Sequence, residues 1–230
     1  MLGKRKRTSK SSAITKRRKS AYTSRSKQNS NPGSFVIHRG VGFPDKFRTK
    51  LQFCDSIVLG NFNSTITQFK AYALNNPYDP DPAIGGGQPT FYDQFAALYN
   101  NYQVAGAKMT VIFTKTNNSG VTADGPYMCG VITQYSSTLS STDAPTLCTT
   151  PNCQWDVLHE DANKTVVATY SPKMLNTVGL VNVFTSSSPS SMYGLIWASP
   201  QGTAVTGTVN AVVMIEYVVD FYNLKETVDL

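Results

Sequence analysis

Residues 1–40 contain no Asp or Glu, and residues 49–230 contain no Arg. The chain of 230 residues holds only two histidines, His38 and His159, and four cysteines, Cys54, Cys129, Cys148 and Cys153. Each scarcity removes a class of function. With so few imidazoles and no Gly-x-Ser-x-Gly turn, a nucleophile–base–acid constellation cannot be composed. His38 falls at the edge of the acid-free segment, and His159 lies in Trp155-Asp-Val-Leu-His-Glu-Asp, which reads as a surface loop. No two cysteines form C-x-x-C, and the Cys148-x4-Cys153 spacing suits zinc poorly, so buried reduced thiols are expected. Gly85-Gly-Gly is followed by Gln-Pro rather than Lys-Ser/Thr, which makes it a turn and not a phosphate loop. Asp79 and Asp81 could offer carboxylates to calcium, yet Asp-Pro-Asp-Pro is also a plain turn sequence, and the EF-hand spacing is missing. No catalytic residue, metal or cofactor is expected. Apolar runs are short as well: Glu216 ends the run Ala211 to Ile215, so no membrane insertion is expected. The first residues carry charge with no apolar stretch behind it, which argues against a secretory signal and gives the Asn-x-Ser/Thr matches at Asn63, Asn117 and Asn163 little weight.

What is present is distributed unevenly. The formal net charge is +7, from 21 Lys+Arg and 14 Asp+Glu. Twelve of the cations lie in residues 1–40, giving that segment +12; residues 41–230 carry nine cations and all 14 acids, giving −5. The chain is therefore a basic arm, 1–40, on a mildly acidic body, 41–230. The arm has almost nothing apolar to bury before residue 35 and cannot offset the ~1–2 kcal/mol of backbone entropy per residue, so it is expected to be disordered alone. Its cations are Lys4, Arg5, Lys6, Arg7, Lys10, Lys16, Arg17, Arg18, Lys19, Arg25, Lys27 and Arg39. Flexible cations without nearby acids neutralise phosphates by counterion release, which needs no defined geometry. With almost no aromatics the arm lacks stacking platforms, so it should hold backbone rather than bases. Two blocks, Lys4-Arg5-Lys6-Arg7 and Lys16-Arg17-Arg18-Lys19, also have the arrangement of a bipartite nuclear import signal, whose partners are host import receptors. Arg is the residue for bidentate phosphate contact. Its confinement to positions up to 48 leaves nucleic-acid contact to the arm and to Lys46, Arg48 and Lys50 at the start of the body.

The body alternates. Phe47, Leu51, Phe53, Ile57 and Leu59 fall on one side of an extended segment, with Arg48, Lys50 and Gln52 on the other. Met109, Val111 and Phe113 repeat the pattern, as do Tyr193, Leu195 and Trp197. The clearest case is Val209, Ala211, Val213, Ile215, Tyr217, Val219 and Phe221, opposite Asn210, Glu216 and Asp220. Further strands are expected over 62–74, 126–135, 163–170 and 178–184. Phe91, Phe95, Leu98, Tyr99 and Tyr102 have helical spacing, and Thr90 with Asp93 forms a capping box. A second short helix is expected near 142–149. About eight antiparallel strands with one or two short loop helices indicate an all-β fold: a jelly roll of two packed sheets, with immunoglobulin-like and lectin-type sandwiches as alternatives.

The segments Phe43-Pro-Asp-Lys-Phe-Arg-Thr-Lys-Leu, Ala73-Leu-Asn-Asn-Pro-Tyr-Asp-Pro-Asp, Gly87-Gln-Pro-Thr-Phe-Tyr-Asp-Gln-Phe and Leu98-Tyr-Asn-Asn-Tyr-Gln-Val-Ala-Gly-Ala-Lys-Met follow one another in an informative order. That order resembles the capsid proteins of circular, Rep-encoding single-stranded DNA viruses, the circovirus-like group. Asn76 stands where Ser is usual there, Gly87 where His is usual, and Ala107 where Ser precedes Lys. The resemblance implies a single eight-stranded viral jelly roll that self-assembles into a small icosahedral (T=1) shell of ~60 copies. It implies an inward-facing arm that packages a circular single-stranded DNA genome, and residence in the virion and, during assembly, in the host nucleus. A flexible cationic arm does not by itself distinguish DNA from RNA. The coat protein of a small or satellite RNA virus, and a nuclear nucleic-acid-binding adaptor built on a β-sandwich, stay open as alternatives.

Overall fold

The computed structural model describes residues 43–60, 67–83, 87–116, 125–159, 162–175, 182–183, 192–201 and 207–225. The basic arm, with all twelve of its cations, lies outside them. In chain order the elements are β1 (Lys46–Gly60), β2 (Gln68–Ala73), α1 (Tyr92–Leu98), β3 (Tyr99–Thr116), β4 (Tyr127–Gln134), α2 (Ala144–Cys148), β5 (Cys153–Leu158), β6 (Lys164–Tyr170), the two-residue β7 (Asn182–Val183), β8 (Tyr193–Pro200) and β9 (Thr208–Leu224), with a 3₁₀ turn at Pro172–Leu175.

Two sheets form. One has the order β1-β9-β3-β6, with β7 also beside β3; the other has the order β2-β8-β4-β5. Every pairing is antiparallel. The main pairs are nested: β1 with β9, β2 with β8, β3 with β6, β4 with β5. One long hairpin wound across two sheets has this connectivity, which makes the fold an eight-stranded jelly roll.

The alternation seen in the sequence is the reason the sheets face each other. Along β9, Val209, Ala211, Val213, Ile215, Tyr217, Val219 and Phe221 are all at most 1% exposed. Phe47, Leu51, Phe53, Ile57 and Leu59 of β1 and Met109, Val111 and Phe113 of β3 join them in one core. A fully buried Leu- or Ile-sized side chain contributes roughly 1.5–3 kcal/mol, so this single interlayer carries the fold. Tyr217 spans it, donating its hydroxyl to the Ala73 carbonyl at 2.6 Å. A Cβ at Gly194 would lie 2.3 Å from the Met109 methyl, so a side chain there would have to push the Met109 side chain aside between the sheets.

Four sequence expectations need correction. The helix ends at Leu98, and Tyr99 and Tyr102 belong to the 18-residue strand β3, where both are fully buried. Residues three apart share a helical face but lie on opposite faces of a strand, so the helical spacing of Tyr99 and Tyr102 is overridden by their pairing with β9. No side chain caps α1: Phe91 precedes it in left-handed conformation (φ 69°), exposed rather than packed, so the Thr90 box does not form. The segment from Trp155 expected as a surface loop begins instead inside the edge strand β5 (Cys153–Leu158), which pairs Trp155 with Gly130. Finally, β8 is buried on both faces rather than one. Its outward residues Leu195 and Trp197 are covered, and Trp197 forms a second small core with Ile132, Ala144 and Leu147 under α2. The second helix is where it was expected, at Ala144–Cys148. Asp143 caps it by accepting from the Thr146 amide at 3.1 Å.

Candidate nucleic-acid interface

The outer face of the larger sheet is built by the residues that alternate with its core. On β1 these are Lys46, Arg48, Lys50, Gln52, Cys54, Ser56 and Val58. Register places Tyr222, Asp220, Val218, Glu216, Met214, Val212 and Asn210 of β9 opposite them, in that order. On β3, Lys108 faces Glu216, Thr110 faces Met214 and Ile112 faces Val212. The face thus has a charged half, around Lys46 to Lys50, and an apolar half beyond Cys54.

Four cations (Lys46, Arg48, Lys50, Lys108) and two acids (Glu216, Asp220) occupy this face. Residues 41–230 carry nine cations and 14 acids, so five cations and twelve acids remain for the rest of that segment. The face is +2 on a body of −5, and it is the face of the strand that the basic arm leads into. A cationic surface in a chain that also carries a cationic arm in sequence is suited to a polyanion.

Within the charged half the cations are not equivalent. Arg48 grips Asp220 through both arms of its guanidinium, Nε to Oδ1 and Nη2 to Oδ2, the latter at 2.6 Å. Lys46 lies 3.8 Å from the same carboxylate and 4.8 Å above the Tyr222 ring. The Tyr222 hydroxyl is 3.2 Å from Asp220 and 3.3 Å from Gln103. Asp220, expected on a wet face, is in fact buried by these neighbours. That burial pushes its carboxyl upward, but the Arg48 hydrogen bonds and charge, with Lys46 and Tyr222, outweigh it and hold the group below the usual carboxylate range. The Asp220 hydrogen bond in turn raises Arg48. Arg48, expected from the sequence to serve nucleic acid, therefore has its fork committed to joining β1 and β9. Lys50 is bound to Glu216 at 2.7 Å, and both are partly exposed. An exposed pair of this kind is worth only ~0–1 kcal/mol, so a phosphate can compete for the ammonium. Lys108 is exposed and sits across Glu216 from the Lys50 row. Lys46, Lys50 and Lys108 are the cations of the face with a head group available to a polyanion. Sequence reasoning named Lys46 and Lys50. It missed Lys108 and Tyr222, because only register across three strands brings them together.

The twelve arm residues assigned to nucleic acid, from Lys4 to Arg39, lie outside the described residues, as do both blocks of the import signal. His38 does too. His159 follows β5 in an exposed position. Of the Asp79–Asp81 turn, the Asp81 carboxylate is engaged within the chain, accepting also from the Ala83 amide, while Asp79 Oδ1 is buried without a hydrogen-bond partner. Lys70 binds Asp81 at 2.7 Å and Asp55 at 3.4 Å, so its ammonium fills the place between two carboxylates that a cation would take. Burial first, and then Asp81, raises the Asp79 carboxyl, which further weakens it as a ligand. No grouping of three or more His, Cys, Asp or Glu suited to a metal occurs among the described residues. All four thiols are free. Cys129 is buried and, chiefly through that burial, pushed up to about 12. Cys148 and Cys153 are half-buried, and Cys54 is exposed, contrary to the expectation of four buried thiols.

No family model matches the sequence, and no curated protein matches it. Among solved structures the chain is similar to the decameric BFDV capsid protein, at 15% identity over 77% of this chain and 99% of that chain, with a TM-score of 0.45. It is also similar to the T=1 subviral particle of a Penaeus vannamei nodavirus capsid protein deletion mutant, at 10% identity over 78% of this chain and 100% of that chain, TM-score 0.48. A third similarity is to Desmodium yellow mottle tymovirus, at 12% identity over 86% of this chain and 98% of that chain, TM-score 0.42.

Proposed function

We propose that this chain is a viral capsid protein, a structural building block and not an enzyme, which self-assembles into a small icosahedral shell and packages single-stranded DNA. The observation that carries the reading is the partition of charge on a jelly roll. The sequence joins an arm of +12 to a body that bears a +2 face and whose remaining residues sum to −7. Copies arranged with that face inward would present cations to the genome and the acidic remainder to solvent and to neighbouring copies. In this reading Lys4, Arg5, Lys6, Arg7, Lys10, Lys16, Arg17, Arg18, Lys19, Arg25, Lys27 and Arg39 neutralise phosphate without sequence preference. Lys46, Lys50 and Lys108 line the wall behind them. The blocks Lys4–Arg7 and Lys16–Lys19 also engage host nuclear import receptors, which places assembly in the nucleus. The circovirus-like order of motifs supports DNA over RNA as cargo.

Particle size and content test this reading together. Protein expressed with its arm should sediment as megadalton shells holding nucleic acid that DNase digests after the shells are opened. A species that stays near the 25.1 kDa of one chain, or at a dimer, would overturn the capsid reading. Shells whose content is digested only by RNase would keep the capsid and replace the DNA.

A further inference from the structure

The charged and apolar halves of the larger sheet's outer face meet in a hollow of about 270 Å³. Two rows of outward residues line it: Gln52, Glu216 and Lys108 in one, Cys54, Met214 and Thr110 in the next. Alternation puts all six on the same side of the sheet. Three strands at a spacing of about 4.8 Å, and two rows about 6.8 Å apart, frame a patch of ~10 Å by ~7 Å. That footprint suits one planar ring system and is too short for a helix, whose girth is ~10–12 Å.

The lining sorts by chemistry. Its floor is apolar and polarisable: Met214 is 41% exposed, and the Cys54 thiol is exposed beside it. A thioether packs favourably against an aromatic ring. The rim is polar. Lys50 binds Oε1 of Glu216 at 2.7 Å, but an ionised carboxylate offers about four lone-pair sites, so Glu216 can accept from a further donor. Gln52 offers donors and an acceptor, and Thr110 a hydroxyl. Lys108, exposed on β3, supplies a cation. A bare polyphosphate would use the lysines and leave Gln52, Thr110 and Met214 without a role. A nucleotide uses them all: a flat ring for the floor, a hydrogen-bonding edge for the rim, a phosphate for the ammonium. Because Glu216 only accepts, it favours a base with an exocyclic amine over thymine, which has none.

We propose that this hollow seats one unstacked, amine-bearing base of single-stranded DNA, cytosine or adenine. The ring lies on Met214 and Cys54, its amine donates to Glu216, its edge bonds Gln52, and the adjoining phosphate meets Lys108. The inference rests on the reading that this face meets single-stranded DNA, and it adds selection: the arm holds phosphate without preference, while the wall favours some bases over others. With no outward aromatic side chain in the lining, hydrogen bonds rather than stacking make the choice.

Alkylation of Cys54 reports occupancy, because this thiol is exposed while Cys148 and Cys153 are half-buried and Cys129 is buried. The full-length chain, freed of nucleic acid, is labelled with N-ethylmaleimide and the Cys54 peptide followed by mass spectrometry. Saturating oligo(dC) should slow labelling at least about fivefold more than oligo(dT) or an abasic oligonucleotide of equal length, the lower end of what a base-edge contact discriminates. All three carry the same phosphates, so binding read by fluorescence anisotropy should saturate with each. Glu216→Met removes the acceptor at a partly exposed position and should bring oligo(dC) down to the oligo(dT) level. Equal slowing by all three oligonucleotides, no slowing by oligo(dC) that binds, or a preference that survives Glu216→Met would overturn the base site and leave the DNA reading standing. Cys54 that is unreactive before any oligonucleotide is added would overturn it too, by showing the hollow covered by protein. Oligonucleotides that fail to bind at all would overturn the DNA reading, and the base site with it.

Discussion

The two sheets of the jelly roll treat their outer faces differently. The smaller sheet covers the middle of its own, where α2 packs Leu147 against Ile132 and Trp197 in a second, fully buried core, and leaves Phe69 and Trp155 exposed beside it. The larger sheet leaves its outer face open, with Arg48 and Asp220 locked at one end, lysines beside them, and valines and Met214 at the other. A face closed by its own chain is settled in stability, whereas a face left open with sorted charge and apolar surface is available to partners. In the function proposed here the covered part of the smaller sheet serves the subunit, and the open face of the larger sheet meets the polyanion.

The largest test of the contrast reverses what each side of one strand tolerates. Ile215→Asp would bury a carboxylate in the shared core, cost several kcal/mol and prevent folding, while Asn210→Asp on the open face should leave the melting temperature nearly unchanged. Normal folding of Ile215→Asp, read by circular dichroism, would mean that the register of β9 is wrong by one residue. Next in size, the two outer faces can be compared directly. Leu147→Ala should destabilise by about 2–5 kcal/mol, because α2 buries it completely. Val212→Ala should change stability by less than about 1 kcal/mol in denaturant melts. Similar losses at the two positions would mean that both faces are equally part of the fold.

A smaller effect belongs to the Arg48–Asp220 pair. The Asp220 carboxyl is held below its ordinary value, so its contribution is complete above the unfolded value of about 3.9 and is lost as pH falls through the lower folded value. Asp220→Asn should lower stability at neutral pH by ~1–2 kcal/mol, a figure discounted because Arg48 is half exposed, and should leave a smaller loss below about pH 4 than the parent shows. Parallel acid-melting curves for parent and variant would assign the acid transition to other carboxylates.

The fold was largely legible where the two faces of a strand differ. β1 and β9 each carry an uninterrupted alternation, because one side is core and the other is charged. It was illegible where both sides are alike. β5 is an edge strand exposed on parts of both faces, so its residues show no period. β8 is buried on both, so alternation there was only apparent. Tyr99 and Tyr102 matched a helical period that strand pairing overrode. The candidate interface was legible only along single strands. Lys46, Arg48 and Lys50 stand out by spacing, but the partner that engages Arg48 is 172 residues away, and nothing local marks Lys108 as part of the same face.

The central claim is the division of labour between arm and body, and the salt dependence of single-stranded DNA binding tests it most directly. Full-length protein should lose affinity steeply as salt rises, each phosphate contact contributing about 0.7 to the log–log slope. A chain beginning at residue 35 keeps the whole jelly roll while losing eleven of the arm's twelve cations. It should retain its β content and cooperative melt, bind much more weakly, and show a slope reduced to what Arg39, Lys46, Lys50 and Lys108 can supply. Binding by the shortened chain that is as tight and as steep as that of the full chain would place the polyanion site on the jelly roll and contradict the account.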